Sequence, residues 1–439
     1  MKRIVCKFGG TSLADASQFE KVRDIIARDP SRKIIVVSAP GKRHKDDPKI
    51  TDLLYLAQET AELKGDVSAS FDQIRDRFLT IERDLGLDPV LAPVLSAFEV
   101  ELTAGVSKDY AASRGEYFSG LLMASLLGAE FIDPRDYVVI DAFGRTDPVT
   151  YEALGDALAE ESKTYVMPGF YGRDHQGRVK TFSRGGSDVS GAVAARAGGA
   201  DVYENWTDVS GLLMADPRVV DSPCHMDQVT YKEIRELSYM GASVFHDEAI
   251  LPVREVGIPI NIRNTNAPDD AGTMIVPAFT GSKYKIAGIA GKQNFSMIGL
   301  EKGLMNKEVG FGYKVLQVLS THNVSYEHCP SSIDTMSVIL EHDQIAGKEE
   351  LILEELKQAV SPDKIELTEG LALIAIVGEE MTNTIGMASV VFSALAEAKV
   401  NVRVINQGAS ELNIIVGVAE ADYAPAVRAL YHAFLDVDL

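Results

Sequence analysis

Through the first 276 positions, short apolar runs alternate with amphipathic segments. Strand-like runs fall at 3–8, 33–38, 137–141, 164–167, 201–206 and 258–263. Between them, apolar residues recur at helical spacing over 51–63, 68–85, 187–198 and a long span 91–127 broken near Gly105. This alternation predicts an α/β unit with a mostly parallel sheet sandwiched by helices. In such sheets ligands sit beyond the carboxyl ends of the strands. The first apolar run, Ile4 to Phe8, carries one cation at Lys7 and enters Gly9-Gly10-Thr11-Ser12 directly. A helical segment with Phe19, Val22, Ile25 and Ile26 on one face follows.

The pattern changes near 264–272, where Asn, Pro, Asp and Gly cluster, and Gly281-Ser282 comes soon after. A boundary there predicts a first domain over 1–278 and a second region over 283–439. Eight short strand candidates follow, at 284–290, 295–301, 325–328, 336–341, 364–368, 371–377, 401–406 and 412–418, with helices near 309–322, 345–360, 385–398 and 423–434. Their order reads as two ferredoxin-like βαββαβ copies, about 294–369 and 371–439. The second copy lacks a last strand, which 284–290 is expected to supply. Two independent copies with a spare hairpin are the alternative.

Charge narrows the partners. A net charge of −21 and a pI near 4.8 argue against nucleic acid and anionic membrane, so a site for anionic substrates must be a local basic island. Three scattered cysteines (Cys6, Cys224, Cys329) make neither a disulfide framework nor a zinc site and fit a reducing compartment. With no apolar run of 18 residues and no signal-like start, the expectation is a cytoplasmic protein.

Candidate chemistry centres on two glycine turns. Glycines let a backbone approach a phosphate, and a following helix N-terminus adds partial positive charge. The Gly9–Gly10 turn lacks both the P-loop and the dinucleotide-loop spacing, and by itself a plain strand–helix turn is the commoner reading. The second turn is Thr181-Phe182-Ser183-Arg184-Gly185-Gly186-Ser187-Asp188. Helix capping accounts for Ser187 and Asp188 but not for Arg184. Gly115-Glu116-Tyr117-Phe118-Ser119 puts a carboxylate inside an apolar helical pattern. Trp206-Thr207-Asp208-Val209-Ser210-Gly211, Ala215-Asp216-Pro217-Arg218 and Val37-Ser38-Ala39-Pro40 each follow a strand candidate or lie close behind one.

In order and spacing these segments resemble the aspartate kinases of the amino acid kinase family. The C-terminal copies resemble that family's tandem ACT domains, including Ser331-Ser332-Ile333-Asp334-Thr335 and the stretch 405–414. The resemblance implies ATP- and Mg²⁺-dependent phosphorylation of the aspartate side chain to 4-phospho-L-aspartate, the first step toward lysine, threonine and methionine, by a monofunctional enzyme. Residue by residue it implies that Lys7 and Asp188 are catalytic. Lys7, Gly9, Gly10, Thr11, Ser12, Thr207, Asp208 and Arg218 would hold ATP, with no protein metal site. Ser38, Thr51, Glu116, Phe170, Arg184, Ser187 and Asp188 would bind aspartate. Leu213 and Ser243 stand where many relatives have Tyr and Lys, which shifts nucleotide contacts toward Lys180 or Arg218. An inhibitory amino acid, lysine before threonine, would sit near Met305, Asn306, Gly310, Glu327, Ser331 and Asp334, in a homodimer or higher homo-oligomer joined through the ACT copies. The charged stretch 41–48 reads either as an active-site flap or as a solvated loop. A catalytically silent sensor of the same fold, or a sibling kinase for glutamate, carbamate or a nucleoside monophosphate, are the rival readings.

Overall fold

Ile4–Phe8, buried at every position, is an inner strand of an eight-stranded sheet, which accounts for the apolar residues on both sides of Lys7. The computed structural model describes residues 2–183, 185–242, 250–278, 281 and 284–436. In sheet order the strands are Gln228–Thr230, Thr273–Val276, Ile260–Asn264, Val202–Thr207, Ile4–Phe8, Arg32–Val37, Tyr165–Pro168 and Glu130–Phe131. Neighbouring strands from Ile260–Asn264 to Glu130–Phe131 are all parallel, and Ile260–Asn264 meets Thr273–Val276 antiparallel. The period of two decides what each face does. Cys6, Phe8, Ile35 and Val37 enter a core shared with helices Ala16–Ala27, Ile50–Glu62, Ser68–Asp84, Leu91–Ala104 and Lys108–Leu127. Lys7 and Asn205, paired in register, lie on the face where helix Gly186–Ala197 packs.

One buried carboxylate ties four adjacent strands together. Glu204 accepts from Arg32 Nε at 2.8 Å and from Trp206 Nε1 at 2.9 Å, and its carboxylate also takes the Cys6 thiol at 3.3 Å. Arg263 Nη1 stands 3.5 Å away, and both guanidiniums lie over the Trp206 ring. Burial, with Glu204 beside it, pushes the Cys6 thiol well above its ordinary range. A second buried carboxylate, Glu82, accepts the N–H groups of Val90 and Leu91 at 2.8 Å each and so caps helix Leu91–Ala104 from a distance.

The described residues form two units by their contacts. The second contains residues from Gly281 onward, but also Leu213–Cys224 and the described part of Lys232–Ser243. The first domain expected at 1–278 is therefore interrupted twice. Within the second unit Tyr431 Oη accepts the Cys224 N–H at 2.7 Å, Met214 O accepts the Ile289 N–H at 2.7 Å, and Glu233 and Glu236 accept from Glu379 N and Asn413 Nδ2 at 2.7 Å each. Those pairings are long in sequence and leave no local periodicity to read.

The second unit holds a five-stranded antiparallel sheet in the order Thr335–Glu341, Gly288–Glu301, Lys364–Val377, Asn413–Ala419, Val402–Asn406. Its two central strands are 14 residues long. Each spans both halves of the sheet, bending at a residue in the left-handed region, Asn294 (φ 70°) in one and Gly370 (φ 68°) in the other. The strand expected at 284–290 thus begins at Gly288 and runs on to Glu301, and its first part pairs with Leu373–Val377. Two further expectations differ. Residues 137–141 are the end of helix Pro134–Tyr137 followed by isolated bridges at Val139 and Ile140. The run 325–328 contributes only a bridge from His328 to Ile339. The hairpin Tyr171–Arg173 with Val179–Thr181 was invisible because three-residue strands carry too little pattern.

Glu204→Leu leaves the Arg32 guanidinium buried without a counter-ion, and a loss of about 3–5 kcal/mol is expected from urea unfolding. A loss under about 1 kcal/mol would show that the cluster does not hold the sheet together.

Candidate functional site

At the carboxyl ends of Ile4–Phe8, Arg32–Val37, Tyr165–Pro168 and Val202–Thr207 lies a cavity of about 590 Å³. The turns leaving the first two strands touch backbone to backbone. Gly41 N–H donates to Gly10 O at 2.8 Å, and a Cβ on Gly41 would stand 2.6 Å from Gly10 C. Neither position tolerates a side chain, so peptide groups themselves form this wall. Gly9 N–H is taken by Trp206 O at 2.9 Å, which fixes the turn to the neighbouring strand.

Lys7 Nζ reaches Asp188 Oδ1 at 2.5 Å, both side chains largely buried. Asn205 Nδ2 donates to the same oxygen at 2.8 Å, and Tyr203 Oη donates to Asp188 O at 3.1 Å. Asp188 itself lines the cavity beside Lys7. Asp188 stands in the first turn of helix Gly186–Ala197, whose N-terminal amides open on the cavity and favour negative charge. Phe170, on the same wall, holds a left-handed φ of 76°, kept by Ser190 Oγ accepting its N–H at 2.9 Å.

Glu116 faces the cavity from helix Lys108–Leu127. Gly115 makes that approach possible, since a Cβ there would lie 2.8 Å from Ala39 Cβ. Glu116 Oε2 is buried with no hydrogen-bond partner. Burial pushes its carboxyl up to about 8, against the opposing pull of the Ala39 and Glu116 backbone amides, Arg114 and Lys7. A buried acceptor without a donor, able to ionise near neutrality, suits an incoming ammonium.

Of the residues expected to hold substrates, Lys7, Gly9, Gly10, Thr11, Ser38, Thr51, Glu116, Phe170, Ser187, Asp188, Thr207 and Asp208 line this one cavity. Ser12 is buried behind it, its Oγ 2.7 Å from Thr265 Oγ1. Arg184 and Ser243 lie outside the described residues. Arg218 belongs to the second unit and is paired with Asp216 at 2.7 Å. Lys180 donates to Asp141 O. Stretch 41–48 is anchored, with Asp47 buried and ion-paired to Arg43 and Arg77. Lys42, Lys49 and Asn205 were missed. Asn205 had a signal, a lone amide in a central strand on the face of Lys7, whereas the two lysines looked like ordinary surface charge.

In the second unit, Asp334 accepts the Leu304 N–H at 2.8 Å through its side chain and the Lys302 N–H through its carbonyl, and Asn306 N–H donates to Ile333 O. That gathers Met305, Asn306 and Asp334 at one turn, while Gly310 caps helix Phe311–Thr321. Ser331 bridges to Met336, and the Glu327 carboxylate takes the Tyr239 hydroxyl.

A carboxyl whose folded pKa is raised destabilises the fold as pH climbs from its ordinary 4.5 through about 8. Glu116→Gln lacks that loss. Its melting temperature relative to the parent should rise steadily between pH 5 and 8 in calorimetry. A difference constant across that window would refute the raised pKa.

The amino acid kinase family profile matches residues 2–264, and an ACT domain profile matches 374–434. The chain is 37% identical to aspartokinase 3 of Bacillus subtilis (strain 168) over 98% of both chains. It is 29% identical to lysine-sensitive aspartokinase 3 of Escherichia coli (strain K12), again over 98% of each. Among solved structures, aspartate kinase of Clostridium acetobutylicum matches with a TM-score of 0.92 and 47% identity, covering 99% of this chain and 100% of that one. E. coli aspartokinase III in complex with aspartate and ADP matches at 0.75 and 27%, with the same coverage. The chain belongs to the amino acid kinase family and, within it, to the aspartokinases.

Proposed function

We propose that this phosphotransferase moves the γ-phosphoryl group of ATP to the side-chain carboxylate of L-aspartate, giving 4-phospho-L-aspartate for lysine, threonine and methionine synthesis. The observation that carries the reading is the Lys7–Asp188 pair and the unpartnered Glu116 oxygen in a single cavity. The acceptor, with an ordinary pKa of about 3.9, is already ionised at neutral pH and needs no general base. The barrier is two anions approaching each other, so the site must neutralise and position them. Lys7, the Gly9–Gly10 turn and the N-terminus of Gly186–Ala197 supply the positive end. Glu116 and Asp188 take the α-ammonium. Entry of that cation draws the Glu116 proton off to solvent and turns a neutral carboxyl into its counter-ion. In this reading Arg184 takes the α-carboxylate through its fork, and Ser38, Thr51, Phe170 and Ser187 shape the rest of the acceptor site.

Mg²⁺ fits this site as a companion of the nucleotide. Among the described residues the one trio of His, Cys, Asp or Glu that converges as metal ligands is His342, Glu349 and Glu369 in the second unit, so the cavity offers no cage of its own. Phosphate oxygens would carry the ion, with Asp208 as an available carboxylate; bound there, Mg²⁺ supplies charge neutralisation across the phosphates.

Regulation by an end-product amino acid at the Met305–Asp334 turn completes the reading, with lysine favoured and threonine as the alternative. The E. coli relative is named lysine-sensitive and is known in a lysine- and aspartate-bound T-state. The protein would act in the cytoplasm as a homodimer or larger homo-oligomer. No described helix is long and apolar enough to cross a membrane.

A hydroxamate assay with ATP and aspartate, glutamate or carbamate should give product with aspartate, and added lysine should lower the rate. Product with glutamate alone would redirect the assignment to a sibling kinase, and none from a folded protein would favour the silent sensor. Because kcat/KM reports the free enzyme, its value for aspartate should climb from pH 6.5 and level off above about 8. Glu116→Gln should flatten that profile at a level about 10-fold lower or more. Lys7→Ala should reduce kcat by about 10²–10³; an unimpaired rate would end the charge-neutralisation account.

A further inference from the structure

We propose that Asp47 and Arg77 are positioning residues for phosphoryl transfer, a buried clamp that holds the Gly41 peptide against Gly10 and presents Lys42 to the cavity. This rests on reading the cavity as the phosphoryl-transfer site.

Asp47 lies in the most charge-dense loop of the first unit, yet it is 2% exposed. Its two oxygens accept from Arg43 N at 2.9 Å, Arg43 Nε at 3.0 Å, Arg43 Nη2 at 2.8 Å and Arg77 Nη2 at 2.6 Å. The guanidinium of Arg43, joined by Arg77, holds the Asp47 carboxyl well below the usual range. Arg77 comes from helix Ser68–Asp84, where Ile74, Phe78 and Ile81 anchor it in the core, and is itself 6% exposed. Its second nitrogen, Nη1, donates to Gly41 O at 3.2 Å. Gly41 N–H donates in turn to Gly10 O. An unbroken chain therefore runs from a core helix, through one guanidinium fork, to the peptide wall beside Lys7.

Burying these charges is costly, and packing a loop alone would be served as well by apolar groups. What an apolar residue cannot do is aim a second donor at one carbonyl while locked by a carboxylate. Lysine cannot do it either, having no rigid fork. Lys42, the next residue, is exposed and lines the cavity, its Nζ donating to Lys45 O at 3.2 Å, so the clamp also sets the loop from which that cation reaches the incoming anions. Displacement of such a wall by about 1 Å is enough to cost about 100-fold in rate.

The test is a double-mutant cycle on the full chain with Asp47→Asn, Arg77→Lys and both together, followed by Lys42→Ala. Each single change should lower kcat about 10-fold or more while MgADP affinity, by calorimetry, stays within about 3-fold. The double variant should lose no more than the worse single, because the two residues act as one device. Binding of MgADP with aluminium fluoride, a mimic of the transferring group, should weaken in parallel with kcat. Lys42→Ala should lower kcat with an unchanged melting temperature, which keeps the test open if Asp47→Asn fails to fold. Folded variants with kcat within about 2-fold of the parent, or losses that multiply in the double variant, would overturn the clamp. A parent that binds MgADP but makes no product from aspartate would refute the substrate assignment alone, and the aluminium fluoride series would still decide the clamp.

Discussion

The structure turns on one electrostatic requirement. A chain with a net charge of −21 must hold two further anions close enough to react. The solution is local and largely made of backbone. One ammonium, Lys7, is fixed on an inner strand by Asp188 and shares its partner oxygen with Asn205. In the proposed reading, the Gly9–Gly10 turn and the N-terminus of helix Gly186–Ala197 add partial positive charge that needs no rearrangement when substrate arrives. The acidic surface then works in favour of the site, since anions are attracted at that island and repelled elsewhere.

That arrangement depends on tolerances set well away from the cavity. Gly41 and Gly10 meet at a distance no side chain allows, and Gly115 lets the Glu116 helix close on Ala39. The strands beneath are fastened by Glu204 with Arg32 and Arg263 around Trp206. Lys7 follows Cys6, which touches that cluster, so strand position and site geometry are fixed by the same contacts.

Much of this was legible in the residues, for physical reasons that also explain the gaps. Unbroken apolar runs and period-3.6 faces marked the central strands and long helices because burial on two faces, or on one stripe, leaves a strong imprint. The cavity residues were readable because several ordered segments carried the resemblance together, whereas the Gly9–Gly10 turn by itself reads as a plain strand–helix turn. Residues 213–224 and 232–242 group by their contacts with the second unit, which their sequence does not reveal, since a segment's own pattern says that it packs but not against which core. Asp47 and Lys42 were hidden for a different reason. A run of charges reads as solvated, and nothing local reveals that one carboxylate of six neighbouring polar residues is folded inward onto an arginine 30 positions away.

The two 14-residue strands of the C-terminal sheet carry a consequence for how that region assembles. Each strand belongs to both repeats, and Gly288 finds Val377 across the whole of the first repeat. The repeats are therefore not beads on a string. A cut between them would leave each half with a frayed edge and an unsealed apolar face, and the region should melt as a single cooperative block. Pairings that distant in sequence are the slow ones to form, so synthesis of the first repeat alone cannot complete its neighbour's sheet, which must wait for strands Val402–Asn406 and Asn413–Ala419.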